Sequence, residues 1–297
     1  MAVPSIIRRA LETIGIEDDP TEIESLSGGC IHDVRRVRLG DDHSIVCKCS
    51  FDPEGANQLH SERSGLEFLA SLGVSGLMIP EVLGLHVESM GVVLLMGWLE
   101  PGRACDGGWV DLGRGLAAMH SVDVGQRYGF HVDNHIGSTP QINDWKDDWV
   151  VFNKECRFRP QLELARKTGL LGSDENMLLD QVIDRLGDWI PARPKASPLH
   201  GDLWSGNIMH LADGGVAVID PACSIGDAWA DVAMMSLFGG VPRDCFDAYA
   251  AARGSDLHDM QPRLMVYQLY QVLNHVNLFG SGYLQQLTSL ASRLLTF

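Results

Sequence analysis

Near Glu100-Pro101-Gly102 the spacing of apolar residues changes period, and that change limits the chain to a strand-rich part followed by a helix-rich one. Before it, TEIESLSGGCIHDVRRVRLGDDHSIVCKCS reads as short β-leaning runs broken by Gly-Gly and by Gly-Asp-Asp, an antiparallel meander with a hairpin near Gly40 to His43. NQLHSERSGLEFLASLG places Leu59, Leu66, Leu69 and Leu72 at helical spacing, and Gly73 stops the helix. Two strands return at EVLGLHV and GVVLLMGW. Beyond residue 100 the helix-period stretches are WVDLGRGLAAMH, NDWKDDWVVFNKECRFRPQLELARK, DENMLLDQVIDRLGDWI, ADVAMMSLFGG and LHDMQPRLMVYQLYQVLNHVNLFG. NIMHLADGGVAVIDP interrupts them as a β-hairpin around Ala-Asp-Gly-Gly. The expected class is α+β in two lobes, residues 1–98 and 99–297, the first an antiparallel sheet and the second mostly helical.

With 45% apolar residues, a chain of 297 can bury a large core. A net charge of -16 argues against nucleic acid or an anionic membrane surface as a partner and leaves room only for a local phosphate site. GVVLLMGW, the longest apolar stretch, is too short to span a bilayer, and the start has no signal-peptide apolar region, so a cytoplasmic location is expected. The seven cysteines are odd in number and scattered, hence expected reduced. Cys47 and Cys49 share one strand face without a second cluster and read as buried thiols rather than metal ligands.

The segment LHGDLWSGNIM, residues 199 to 209, puts Asp202 and Asn207 in one tight loop just before the hairpin, whose second strand ends at Asp220. Three oxygen-bearing side chains at one end of a two-stranded ribbon suit Mg²⁺ held with the phosphates of a nucleotide. Asn207 and Asp220 are the expected ligands, which frees Asp202 to take a proton from an attacking hydroxyl. The first lobe should then supply a cradle and a cation. SGGCIHD, with Gly28, Gly29 and Cys30, is a turn whose backbone N–H groups could approach phosphate, although Gly-Gly marks many ordinary turns. Lys48 in the apolar strand IVCKCS needs a charge to meet, unless it lies on an edge and points to water. Glu62 and Glu67 on the following helix are its candidate partners.

Turn, strand Lys, helix Glu, Asp-loop-Asn and hairpin Asp reproduce the order of parts in protein kinases, but HGD and DPA stand where those have HRD and DFG. HGDxxxxN followed by a hairpin Asp resembles the aminoglycoside phosphotransferase and choline kinase superfamily. SGGCI, GSTPQIN..W..DWVVF, LHGDLWSGNIM, DPA, LFGG and YQLYQVLNHVNLFGSGY together resemble the fructosamine kinase (ketosamine-3-kinase) family over residues 20 to 284. That resemblance implies a bilobal kinase-like fold and ATP- and Mg²⁺-dependent phosphorylation of a sugar hydroxyl on ketosamines, a deglycation repair. By position it implies Lys48 as the phosphate lysine, Glu62 as its partner, Asp202 as the base, and Asn207 and Asp220 as metal ligands. It also implies LLMGWLE, with Met96, Gly97 and Trp98, as the hinge whose backbone reads adenine. Two departures stand out: Gly97 replaces a hinge Glu, and Trp229 replaces the Glu of a G-x-x-E-x-D frame, which can alter the acceptor.

Other residues carry two readings each. Trp204 stacks on a sugar ring or wedges the loop. His120 and His200 hold backbone more readily than they move protons. Trp145, Trp149 and Phe152 form a helical core stripe beside a solvated Asp147 and Asp148, or these acids join Asp133 and Asn134 in an acceptor wall for an amine. Asn274 and His275 read as polar groups of the core. Cys30, in the phosphate turn, is either a buried thiol or a redox switch that could link two chains, so a monomer or a redox-linked dimer is expected. The remaining alternatives are a kinase for an aminoglycoside or amino alcohol and a nucleotide-binding pseudokinase scaffold.

Overall fold

The computed structural model describes residues 5–17, 19–26, 32–40, 43–254 and 261–297. Gly28, Gly29 and Cys30, and with them the phosphate turn and its redox hypothesis, lie outside the described residues, as do residues 41 and 42 of the expected hairpin turn.

Five strands, β1 (Glu22–Ser25), β2 (Asp33–Arg38), β3 (Ser44–Ser50), β4 (Val82–Glu88) and β5 (Gly91–Gly97), form one antiparallel sheet in the order β1-β2-β3-β5-β4. Period-2 alternation divides its faces. Ile45, Cys47 and Cys49 pack with Val93 and Leu95 beneath the amphipathic helix α1 (Ser5–Thr13), which contributes Ile6, Ile7, Ala10 and Leu11. Val92, Leu94 and Met96 face α2 (Pro53–Ser71) through Leu59 and Leu66. Lys48 shares this second face, which aims its ammonium at α2 and not at water. Helix α2 starts earlier than its leucines suggest. Asp52 caps it by accepting from Gly55 N at 2.9 Å, and Pro53 occupies the first turn, where a missing N–H costs nothing.

Cys47 and Cys49 are thus thiols of an apolar layer, and burial pushes Cys49 up to about 12. Maleimide labelling of native protein should modify exposed Cys105 and spare Cys47 and Cys49 until denaturant is added, as read by peptide mass mapping.

The helix-rich part holds α3 (Asp106–Met119), α4 (Trp149–Phe152), α5 (Arg159–Lys167), α6 (Ser173–Asp184), α7 (Trp229–Leu237), α8 (Arg243–Arg253), α9 (Gln261–Phe279) and α10 (Leu284–Leu294) around one apolar core. Three short two-stranded sheets lie among them: β6 (Asn134–Ile136) with β7 (Thr139–Gln141), β8 (Ala196–Leu199) with β11 (Ser224–Asp227), and the expected hairpin of β9 (Ile208–His210) and β10 (Val216–Val218). The first two pairs were not expected. They are three or four residues long, too short to set up a period.

The long helix expected over 143–167 is interrupted. Asp148 caps it at Val151 N, so Trp145 stays outside, 39% exposed, while Trp149 and Phe152 are buried. A π-turn over Asn153–Phe158 separates α4 from α5, just before Pro160, whose ring nitrogen cannot donate to the helical ladder. Asp147 pairs with Arg127 at the surface.

Candidate active site

Strand β8 ends in His200-Gly201-Asp202, and Asp231, near the start of α7, braces this turn. Its carboxylate accepts from the backbone N–H of His200 and of Gly201, each at 2.8 Å, and lies 3.1 Å from His120 Nε2. Burial alone would raise Asp231, but His120, His200 and the Gly201 amide keep it below the usual carboxylate range. His200 Nε2 donates to the carbonyl of Ile219 at 2.9 Å, which leaves Nδ1 as the acceptor for Asp202 N at 3.3 Å. His200 therefore holds backbone as expected, whereas the His120 ring sits between two side chains, Asp231 and the Tyr249 hydroxyl at 2.9 Å. Burial lowers His200 and favours that neutral tautomer.

Gly201 has φ +85°, and an added Cβ would sit 2.0 Å from the carbonyl oxygen of Ala222. This close approach is why the loop has so little bulk. Gly201→Ala should cost about 3 kcal/mol, from the left-handed backbone and the clash together. A melting temperature lower by roughly 5–10 °C checks it. Gly107→Ala, in open space, should leave it unchanged or raise it slightly.

Asn207 Nδ2 donates to the Asp202 carbonyl at 2.8 Å and to its Oδ2 at 3.2 Å, leaving the amide oxygen for a cation. Asp220 follows β10 with φ 56°, the one positive-φ non-glycine among the described residues. Asp tolerates that region better than most side chains, and here it carries the carboxylate to Lys48. Lys48 Nζ donates to Glu62 Oε1 at 2.6 Å and also to Asp220. Burial works against its charge, yet the two carboxylates outweigh burial and raise it further. Burial raises Glu62 to about 6 against the pull of Lys48, and burial with the Asp220 charge raises Asp202 to about 7.

These groups line one cavity of about 500 Å³ together with His32, Gln58, His135, Trp204, Phe238, His275, Phe279 and Tyr283. Lys48 is the only lysine or arginine among its described lining residues. The carboxylates of Asp202 and Asp220 and the Asn207 amide, all oxygen donors on one cavity, fit a Mg²⁺ ion that completes its shell with phosphate and water. Among the described residues, no group of three or more His, Cys, Asp or Glu is arranged to hold a metal by itself.

Several expected site residues have other work. Asp133 accepts from Asn143 N at 2.7 Å, and Asn134 Nδ2 donates to the Cys223 carbonyl at 2.7 Å, so both fasten loops. Trp229 is buried edge-on against Tyr249. None of the three lines the cavity. Glu67 pairs with Arg63. In the hinge stretch Met96 is buried in the sheet, Gly97 N donates to Glu81 O at 2.9 Å, and Trp98 lies under the Arg36 guanidinium, 4.1 Å from its ring centre. These three also lie outside the cavity lining, and any adenine read here must use backbone groups other than Gly97 N–H. Trp204 is 40% exposed in the lining, its indole seated on Gly206, where a Cβ would come within 2.3 Å. Asn274 is buried, accepting from Gln161 Nε2 at 3.0 Å, yet it borders the cavity, as His275 does. Phe238, Phe279 and Tyr283 went unnoticed in the sequence, although LFGG and NLFGSGY contain them.

The fructosamine kinase family model matches residues 3–297. A "probable ketoamine kinase" of Synechocystis sp. is 35% identical over 283 residues, covering 95% of this chain and 93% of its own length. A chloroplastic protein-ribulosamine 3-kinase of Arabidopsis thaliana is 34% identical over 282 residues, covering 93% of this chain and 83% of its own length. The crystal structure of a "putative fructosamine-3-kinase" from Thermobifida fusca superposes with a TM-score of 0.87 at 29% identity, covering 100% of both chains. The braced Asp202 loop, the Lys48 pair and these similarities agree: the chain belongs to the fructosamine kinase family.

Proposed function

We propose that this protein transfers the γ-phosphoryl group of ATP to a sugar hydroxyl of ketosamines, the adducts of sugars with amines. The observation that carries the reading is the convergence on one cavity of Lys48 with its two carboxylates, Asn207 and the braced Asp202. The ketoamine and ribulosamine kinase names of its relatives support the acceptor class. On this reading residues 1–98 bind the nucleotide and residues 99–297 carry the base and the acceptor.

Lys48 binds phosphate oxygens and Glu62 fixes its direction. Asn207 and Asp220 would hold Mg²⁺, which when bound neutralises phosphate charge. Asp202 orients the acceptor hydroxyl and takes its proton as the new P–O bond forms and the bond to the ADP oxygen breaks. A ligand cation beside Asp220 would offset the charge that now raises Asp202 and return it toward the basic form needed for that step.

Purified protein with Mg²⁺-ATP should phosphorylate fructosyl-lysine or ribulosyl-lysine, followed by mass spectrometry. Product only from an aminoglycoside or choline would move the acceptor class. Nucleotide binding with no product from any of them would point to a scaffold.

A further inference from the structure

Three elements bring four rings together on one wall of the cavity. Phe238 ends α7, His275 and Phe279 lie one turn apart on α9, and Tyr283 follows in the 3₁₀ turn Ser281–Tyr283. Gly280, at φ +83°, reverses the chain between them. His275 is the centre of the group, with ring centroids 4.5 Å from Phe238, 5.3 Å from Phe279 and 5.1 Å from Tyr283. Phe279 is 63% exposed and Phe238 37%, a large apolar investment for a surface unless a ligand covers it.

The chemistry of this wall is specific. His275 Nδ1 contacts the Gln271 carbonyl at 2.8 Å, and a carbonyl can only accept, so Nδ1 carries the proton and Nε2 is the acceptor of the neutral ring. Burial holds the imidazole below its ordinary range, in keeping with that form. The carboxylates among the described lining residues are Glu62, Asp202 and Asp220, all at the Lys48 end. A cation at the aromatic wall therefore finds ring faces, the Tyr283 phenol oxygen and an imidazole lone pair in place of an acid.

We propose that Phe238, His275, Phe279 and Tyr283 form the subsite for the protonated secondary amine of the acceptor, with ring faces against the ammonium and His275 Nε2 accepting one of its N–H bonds. This rests on the ketosamine reading, because it assumes that an amine adjoins the sugar whose hydroxyl meets Asp202. It makes the wall the part of the site that separates a glycated amine from the free sugar, since a neutral sugar has no cation to offer it. A cation over an aromatic face contributes about 0.5–2 kcal/mol, so amine-dependent affinity should be roughly 2- to 30-fold.

The test measures equilibrium binding by calorimetry, with Mg²⁺ and a non-hydrolysable ATP analogue present, for a fructosyl alkylamine and for its ether analogue, in which oxygen replaces the amine nitrogen. Wild-type protein should prefer the amine. Phe279→Leu, at an exposed position and retaining apolar bulk, should bring the two affinities together chiefly by weakening the amine. Equal binding of amine and ether by wild type, no binding of either, or an undiminished preference in Phe279→Leu would overturn the subsite. Turnover of the amine by wild type is followed separately. Selective binding without phosphorylation would overturn the reaction and keep the subsite, and phosphorylation without selectivity would do the reverse.

Discussion

Asp202→Asn should bind nucleotide as the wild type does and lose phosphorylation of its acceptor by about 10²- to 10⁴-fold, the range usual for a positioned base. The amide keeps the size of the side chain and its ability to accept from Asn207 Nδ2, so the loop held by Asp231 is preserved. Stability separates this from misfolding. Burial and Asp220 raise Asp202 to about 7, so between about pH 4 and pH 7 the folded protein retains a proton that the unfolded chain has released. Its metal-free stability therefore falls through that window as pH rises, and above it the folded state holds a carboxylate it disfavours. The variant, with no charge to hold, should melt at the same temperature or higher at pH 8 in the absence of Mg²⁺. Scanning calorimetry with a single-turnover assay checks both, and a melting temperature well below wild type would mean that Asp202 has a structural role instead.

Lys48→Met should lower turnover by at least about 10²-fold, by removing the charge set against the transferring phosphate. The same change leaves Glu62 buried without its partner, and a buried carboxylate that loses its cation takes up a proton. Glu62 already stands at about 6 with Lys48 present, so in the variant it should rise further and be neutral at pH 7. Infrared difference spectroscopy should then show a protonated carboxyl in Lys48→Met that disappears in Lys48→Met with Glu62→Gln. The double variant should be no less stable than the single one, because the second change removes the stranded acid. Retention of near-wild-type turnover in Lys48→Met would remove Lys48 from the reaction.

What was legible in the sequence followed from local pattern. The alternation around Lys48 and the tight spacing from Asp202 to Asn207 depend on neighbours in the chain, and so do the two-part architecture and the hairpin before Asp220. The illegible features join distant positions. His120 and Asp231 are 111 residues apart, and nothing near either states that one carboxylate will brace two backbone amides and an imidazole. Asp133 and Asn134 looked like acceptor groups because they are polar and close to a family-like stretch, yet tertiary packing turns Asp133 to the Asn143 N–H and Asn134 Nδ2 to the Cys223 carbonyl. Trp229 departs from the family pattern as noted, but its ring faces Tyr249 in the core, so any effect of that departure on the acceptor must pass through packing. The aromatic wall was hidden for the same reason: Phe238 meets α9 only because α7 and α9 pack together.

Helix α7 has a mechanical consequence. Near its beginning Asp231 grips the catalytic turn, and at its end Phe238 stands in the aromatic wall. Phe238 stands seven positions after Asp231, about 10 Å of helical rise with no proline or glycine between to bend it. If the wall takes the acceptor's amine, this helix sets the spacing between chemistry and wall, and acceptors would be sorted by the reach of their own linker.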